Sequence, residues 1–145
     1  MKLTLRKDIA GERAAAIARV NARAGALRGR VVTVIPGQEM IYLEKASEAR
    51  RYLAAYPAPE DIPGALDADP ATGFPFLCAE LGITADDPHA LALIWIGGAS
   101  LFRQIGAAIE TIRLGAVAAI EAAASPVGIA AAEAAAEAAF ALVFG

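Results

Sequence analysis

The spacing of apolar and polar positions changes along the chain, and each change predicts an element. Residues 1–7, MKLTLRK, alternate Leu3 and Leu5 with polar neighbours. That spacing predicts a short extended arm near 2–6, which must lie against something to be stable. From Asp8 the period turns helical: Ile17, Val20, Ala24 and Leu27 form one apolar stripe, with Arg13, Arg19, Arg23 and Arg30 off it. Asp8 suits an N-cap and Gly29 a stop, so the first helix should end near Leu27. VVTVI, residues 31–35, is β-branched and predicts a second short extended segment. Pro36-Gly37 signals a turn, and a second helix should run from about Gln38 to Ala55.

Residues 56–75 hold five prolines and two glycines and predict one long loop. Loops of this length usually carry function, which makes residues 57–73 a candidate contact surface. A short helix, FLCAELG, follows. Asp87 and Pro88 then suit the cap and first position of a long helix over about 88–124, broken by Ser125-Pro126. A last, alanine-rich helix should cover about 127–143. The expected fold is all-α, a helical bundle with one long coiled-coil-like helix. It divides into an arm over 1–7 and a single helical domain over 8–145.

The long helix carries heptads. With Trp95 at position a, the seam reads Trp95, Gly98, Phe102, Ile105, Ile109, Ile112 and Ala116, continuing into Ala119 and Ala123. Leu101, Leu114, Val117 and Ile120 fall off the seam and are also apolar, which predicts a helix sandwiched between neighbours. A helix of this length exceeds the width of a domain of this size, so the seam is expected to be shared among copies. Isoleucine at both a and d leans toward three strands, hence a homotrimer.

Composition sharpens this picture. Of 145 residues, 57% are hydrophobic but only 6% aromatic, and 38 are alanine. The chain is rich in helix formers and poor in large core side chains, which argues against an all-β fold and against disorder. The net charge of −3 hides an asymmetry. Residues 1–51 carry eleven basic and five acidic side chains; residues 52–145 carry two basic and eleven acidic ones. The basic half can pair with the acidic half or meet an acidic partner.

Little chemistry is in view. One cysteine, Cys78, and one histidine, His89, exclude an internal disulfide and any site needing two of either. Cys78 reads as a small buried hydrophobe and His89 as a solvated or capping residue. The acids Glu60, Asp61, Asp67, Asp69, Asp86 and Asp87 do not match a calcium loop. No phosphate loop, dinucleotide fingerprint or nucleophile elbow is present. Hence no catalytic residue, no metal and no cofactor is expected, and the protein is not expected to be an enzyme. The longest run without Asp, Glu, Lys or Arg, Pro88–Phe102, is 15 residues, so membrane insertion is not expected. The start has no apolar signal core, so export is not expected either. The arginines at 13, 19, 23, 28 and 30 allow a nucleic-acid reading. The acidic overall balance favours their pairing within the chain instead.

Three stretches carry a resemblance. RVVTVIPGQEMIYLEKASEARRYL (30–53) has a PGQ turn at Pro36, Gly37 and Gln38, then Tyr42, Lys45, Glu48 and Ala49. FPFLCAELGITADD (74–87) holds an Ala-Glu-Leu-Gly-Ile-Thr segment from Ala79 to Thr84, and FRQIGAAIETIRLGAVAAIEAA (102–123) holds Ile109, Glu110 and Arg113. Together they resemble small alanine-rich proteins encoded among the tail and tail-fibre genes of tailed phages, and of phage-like particles, of proteobacteria. The resemblance covers roughly residues 12–125. This chain departs from the pattern in its longer proline-rich loop and in Gly97-Gly98. The resemblance implies a structural part of the tail, made in the host cytoplasm and placed in the virion. Its function would be that of a fibre or fibre connector that self-associates, docks on other tail proteins through Leu3 and Leu5, and holds host-recognition parts. A tail-fibre assembly chaperone is the alternative, and a nucleic-acid-binding helical protein the further one.

Overall fold

In a computed structural model of the protein, residues 8–32 and 37–145 are described. The arm with Leu3 and Leu5 lies outside the described residues, as do 33–36. Among the described residues the elements are α1 (Ile9–Arg28), α2 (Gln38–Ala55), a 3-10 turn (Pro59–Asp61), α3 (Pro75–Glu80), α4 (Pro88–Ala122) and α5 (Pro126–Ala141). The all-α expectation holds, and no strand forms among them. Of the extended segment expected over 31–35 only Val31 and Val32 are described, and there the chain is a turn. Their N–H groups donate to the Arg28 carbonyl, so they wind on in the turn that leaves α1.

The helix starts follow from their caps. The Asp8 side chain accepts from the Gly11 N–H at 3.1 Å, and Ser125 Oγ accepts from the Gly128 N–H at 3.1 Å. Each satisfies an N–H that the first helical turn leaves free. Gly37 takes φ 83°, a left-handed conformation that suits glycine, and opens α2. Asp87 Oδ1 accepts from the His89 N–H at 2.7 Å and caps α4.

The single domain expected over 8–145 divides into two compact units, and the division falls inside α4. Unit 1 joins residues up to Val32 with Gln104–Gly145. In it α1, the second part of α4 and α5 pack side by side. Ala16, Val20, Ala24 and Leu27 of α1 meet Ile109, Ala116 and Ile120 of α4 and Ile129, Ala136 and Phe140 of α5. Four of these ten are alanine and the other six are valine, leucine, isoleucine or phenylalanine, so aliphatic side chains fill most of the space between the helices.

Unit 2, Thr33–Arg103, is built differently. Ala49 and Tyr52 of α2, Leu77 of α3, and Leu91 and Ala92 of α4 form its buried centre. Around them pack Tyr56, Phe74 and Trp95. Tyr52 meets the Phe74 ring edge-on at 5.5 Å and the Tyr56 ring at 5.1 Å. The proline-rich segment is an ordered loop containing a 3-10 turn. Asp67 accepts from the Asp69 N–H and the Thr72 hydroxyl, each at 2.9 Å. A Cβ on Gly73 would sit 2.3 Å from the Asp67 carbonyl oxygen, so only glycine closes this loop.

Candidate interaction face

The first half of α4 is apolar on two sides. One side belongs to unit 2: Leu91 and Ala92 are fully buried, and Trp95 and Ile96 pack half-buried against the same cluster. The Lys45 ammonium lies 4.9 Å from the centre of the Trp95 ring and also pairs with Glu80. The other side is open. Leu93, Ile94 and Leu101 are each about half exposed, and Phe102 is 37% exposed. At 3.6 residues per turn these fall into two adjacent rows, Leu93–Gly97–Leu101 and Ile94–Gly98–Phe102. A Cβ placed on Gly97 or Gly98 would meet nothing within 4 Å. Each glycine in a helix interior costs about 0.8–1.0 kcal/mol against alanine, and no described residue uses the space it leaves. By length and composition α4 is apolar enough to cross a membrane, and only 11% of its most apolar 18-residue window is buried. The sequence expectation stopped at the 15-residue uncharged run; the longer window tolerates Arg103.

The structure separates the predicted seam residues. Ile109 is fully buried and Ala116 nearly so, and Ile105 and Ile112 pack half-buried against the same unit 1 core. The isoleucines behind the expected trimer are thus occupied within one chain. Trp95 faces the core of unit 2. Gly98 and Phe102 alone among the seven are open. The second stripe also differs from expectation: Ile120 is fully buried, whereas Leu101 and Leu114 are each 53% exposed, so the described residues do not sandwich the helix. A straight helix drifts about 20° per heptad, which carries burial from the seam at Ile109 to the off-seam Ile120.

The arginines of α1 pair with the acidic half of the chain. Arg19 meets Glu133 and Arg23 meets Glu137, both at 3.0 Å. Arg28 reaches Glu110 at 2.7 Å, and Arg113 shares that carboxylate at 2.6 Å. The hydrogen bonds and charge of Arg113, with the charge of Arg28, hold the Glu110 carboxyl down at about 2. Arg13 Nε donates to the Ala123 carbonyl at 3.1 Å near the end of α4, and the Arg30 guanidinium lies 4.1 Å from the centre of the Phe144 ring.

Unit 2 holds a buried carboxylate on α2 that the periodicity of the sequence did not single out. Glu48 is 2% exposed. Its carboxylate accepts from the Phe76 N–H at 3.2 Å and the Leu77 N–H at 2.7 Å, capping α3 from α2. Burial pushes its pKa up against the lowering pull of those two N–H groups and Arg51. The available signal was its place four residues before Tyr52, on that residue's face. The Tyr52 hydroxyl and His89 Nδ1 are buried with no hydrogen-bond partner among the described residues. Cys78 is half-buried with its Sγ 3.8 Å from the carbonyls of Leu66 and Asp67. Burial and the charges of Glu48 and Asp67 push its thiol up, away from nucleophilic use. No cluster of three metal-ligating side chains occurs among the described residues. No family model, curated protein or solved structure matches the chain.

Proposed function

We propose that the protein is a structural subunit of a phage tail, a fibre or fibre connector that associates with its own copies and helps hold host-recognition parts on the tail. The observation that carries the reading is the open apolar face of α4 from Leu93 to Phe102. A row of large apolar side chains left in water marks a surface made for a partner. The resemblance of residues 12–125 to tail and tail-fibre-associated proteins supplies the setting, the virion, with synthesis in the host cytoplasm. In this reading self-association runs through Gly98 and Phe102 together with Leu93, Ile94 and Leu101.

The test is the protein composition of purified particles from a producing host. The chain is expected as a stoichiometric component that survives washing in high salt. Its presence in the producing lysate bound to fibre protein, with none in the finished particles, would overturn the structural reading in favour of an assembly chaperone.

A further inference from the structure

We infer that residues 73–80 form a strap on α2 whose closure is governed by a proton on Glu48. The inference does not depend on the tail reading above.

The strap runs antiparallel to α2 and is held at three points. Arg51 donates to the Gly73 carbonyl at 3.1 Å and lies over the Phe74 ring. Glu48 accepts from the Phe76 N–H at 3.2 Å and the Leu77 N–H at 2.7 Å. Lys45 pairs with Glu80. Positions 45, 48 and 51 follow at three-residue spacing, so one row of α2 carries all three holds. The outer two are cations. The middle one is an acid at 2% exposure, and no cation among the described residues lies within ion-pair distance of it.

A charge buried in this way is costly, whereas a neutral carboxyl is far less so and still has acceptor capacity for the N–H groups. Burial accordingly pushes the Glu48 carboxyl up from its usual 4.5, against the lowering pull of the two N–H groups and the Arg51 charge. Lifting the strap removes Leu77 and both N–H groups and returns Glu48 to water. Closing therefore takes up a proton from solvent, and opening gives it back. Below pH 4.5 both states hold the proton, and closure is indifferent to pH. As pH rises toward the raised value, the open state loses its proton first and gains population, by up to about tenfold per pH unit for one proton.

The neighbouring groups shape this response. Glu44 on α2 adds to the upward push on Glu48. Cys78 on α3 has its own thiol pushed up by burial and by the charges of Glu48 and Asp67, which keeps it neutral. At the start of α4, Asp87 acts on Tyr52. His89, with its Nδ1 buried, is the rival proton site in this unit. Opening uncovers Leu77 and lifts Phe74 off the Tyr52 ring, so the strap controls access to the aromatic centre of unit 2.

The experiment is amide hydrogen exchange of the full chain by NMR from about pH 4 to about pH 8, with the intrinsic chemical rate divided out at each pH. Opening at the Phe76 and Leu77 amides should grow by up to about tenfold per pH unit above 4.5. Tyr52 on α2 and Leu91 on α4 should show no such slope. The Glu48 carboxyl resonance should titrate above 4.5 in the same window. Glu48→Gln, neutral at every pH, should remove the slope, and His89→Asn should keep it. Flat exchange at Phe76 and Leu77 overturns the strap. So does a slope shared equally by Tyr52 and Leu91, which would mean that unit 2 opens as a whole. A Glu48 carboxyl that titrates at or below 4.5 overturns it too, as does a slope lost in His89→Asn and kept in Glu48→Gln. If Glu48→Gln does not fold, the wild-type slope and the carboxyl titration still decide.

Discussion

The two units share α4 yet are held by different means. Unit 1 is an aliphatic bundle: Val20, Leu27, Ile109, Ile120 and Ile129 with Phe140 and four alanines inside, and arginine–glutamate pairs on its rim. Unit 2 is an aromatic cluster around Tyr52, closed by a buried carboxylate that caps a helix of 6 residues. Unit 1 distributes its stability over many weak contacts and strong helix propensity. Unit 2 concentrates it in a few residues. The single tryptophan and all three tyrosines lie in unit 2. Near-ultraviolet signals therefore report one unit and helix ellipticity reports both.

The contrast can be broken most forcefully at Tyr52. Tyr52→Ala empties the centre of unit 2 and should cost about 3–5 kcal/mol. The Trp95 fluorescence transition should drop sharply while the helical signal of unit 1 persists; if both fall together, the units are one cooperative block. Next comes Ala24→Leu, which forces a larger side chain between close helices and should cost about 1–3 kcal/mol. It should lower the far-ultraviolet transition and leave Trp95 fluorescence in place. Glu48→Ala is of similar size, about 1–3 kcal/mol, because two N–H groups of α3 lose their acceptor. Its mark should be fast hydrogen exchange at Phe76 and Leu77.

Acid should pull the units in opposite directions. Glu110 has a folded-state pKa of about 2 against an ordinary 4.5. Its stabilising contribution is whole above 4.5 and fades as pH falls through about 2. Glu48 is raised above 4.5, so its contribution is whole below 4.5 and fades as pH rises through the raised value. Between pH 6 and 2, Glu110→Gln should flatten the acid loss in unit 1, and Glu48→Gln should flatten the opposite slope in Trp95 fluorescence melts. A single shared slope for both probes would remove this distinction. The smallest effect is expected at Arg23→Ala, about 0.2–1 kcal/mol for an exposed ion pair, vanishing in molar salt.

Local signals account for what could be read in advance. Asp8, Asp87 and Ser125-Pro126 placed helix boundaries because caps act within one turn. The α2 range of Gln38–Ala55 agrees with its expected limits. Valines 31 and 32 misled because β-branched preference is only a tendency, and here their N–H groups bond back to the Arg28 carbonyl at the end of α1. The heptad spacing on α4 names a face without naming its neighbour. Ile109 packs with α1 and α5 of its own chain, and Leu93 stays half exposed among the described residues. Glu48 stayed hidden because a carboxylate on a helix reads as solvent-facing until the N–H groups it serves, 28 and 29 residues away, come into place.

Unit 1 is assembled from the two ends of the described chain around an inserted unit 2, and this sets an order in time. Arg19 and Arg23 lie 114 residues ahead of Glu133 and Glu137. At ribosomal rates of about 5–20 residues per second, α1 waits roughly 6–20 s for the carboxylates it will pair with. Unit 2 emerges whole during that wait and can close first. The nascent chain therefore carries a basic, half-apolar helix without its partners until α5 emerges, and chains truncated before α5 should expose it permanently.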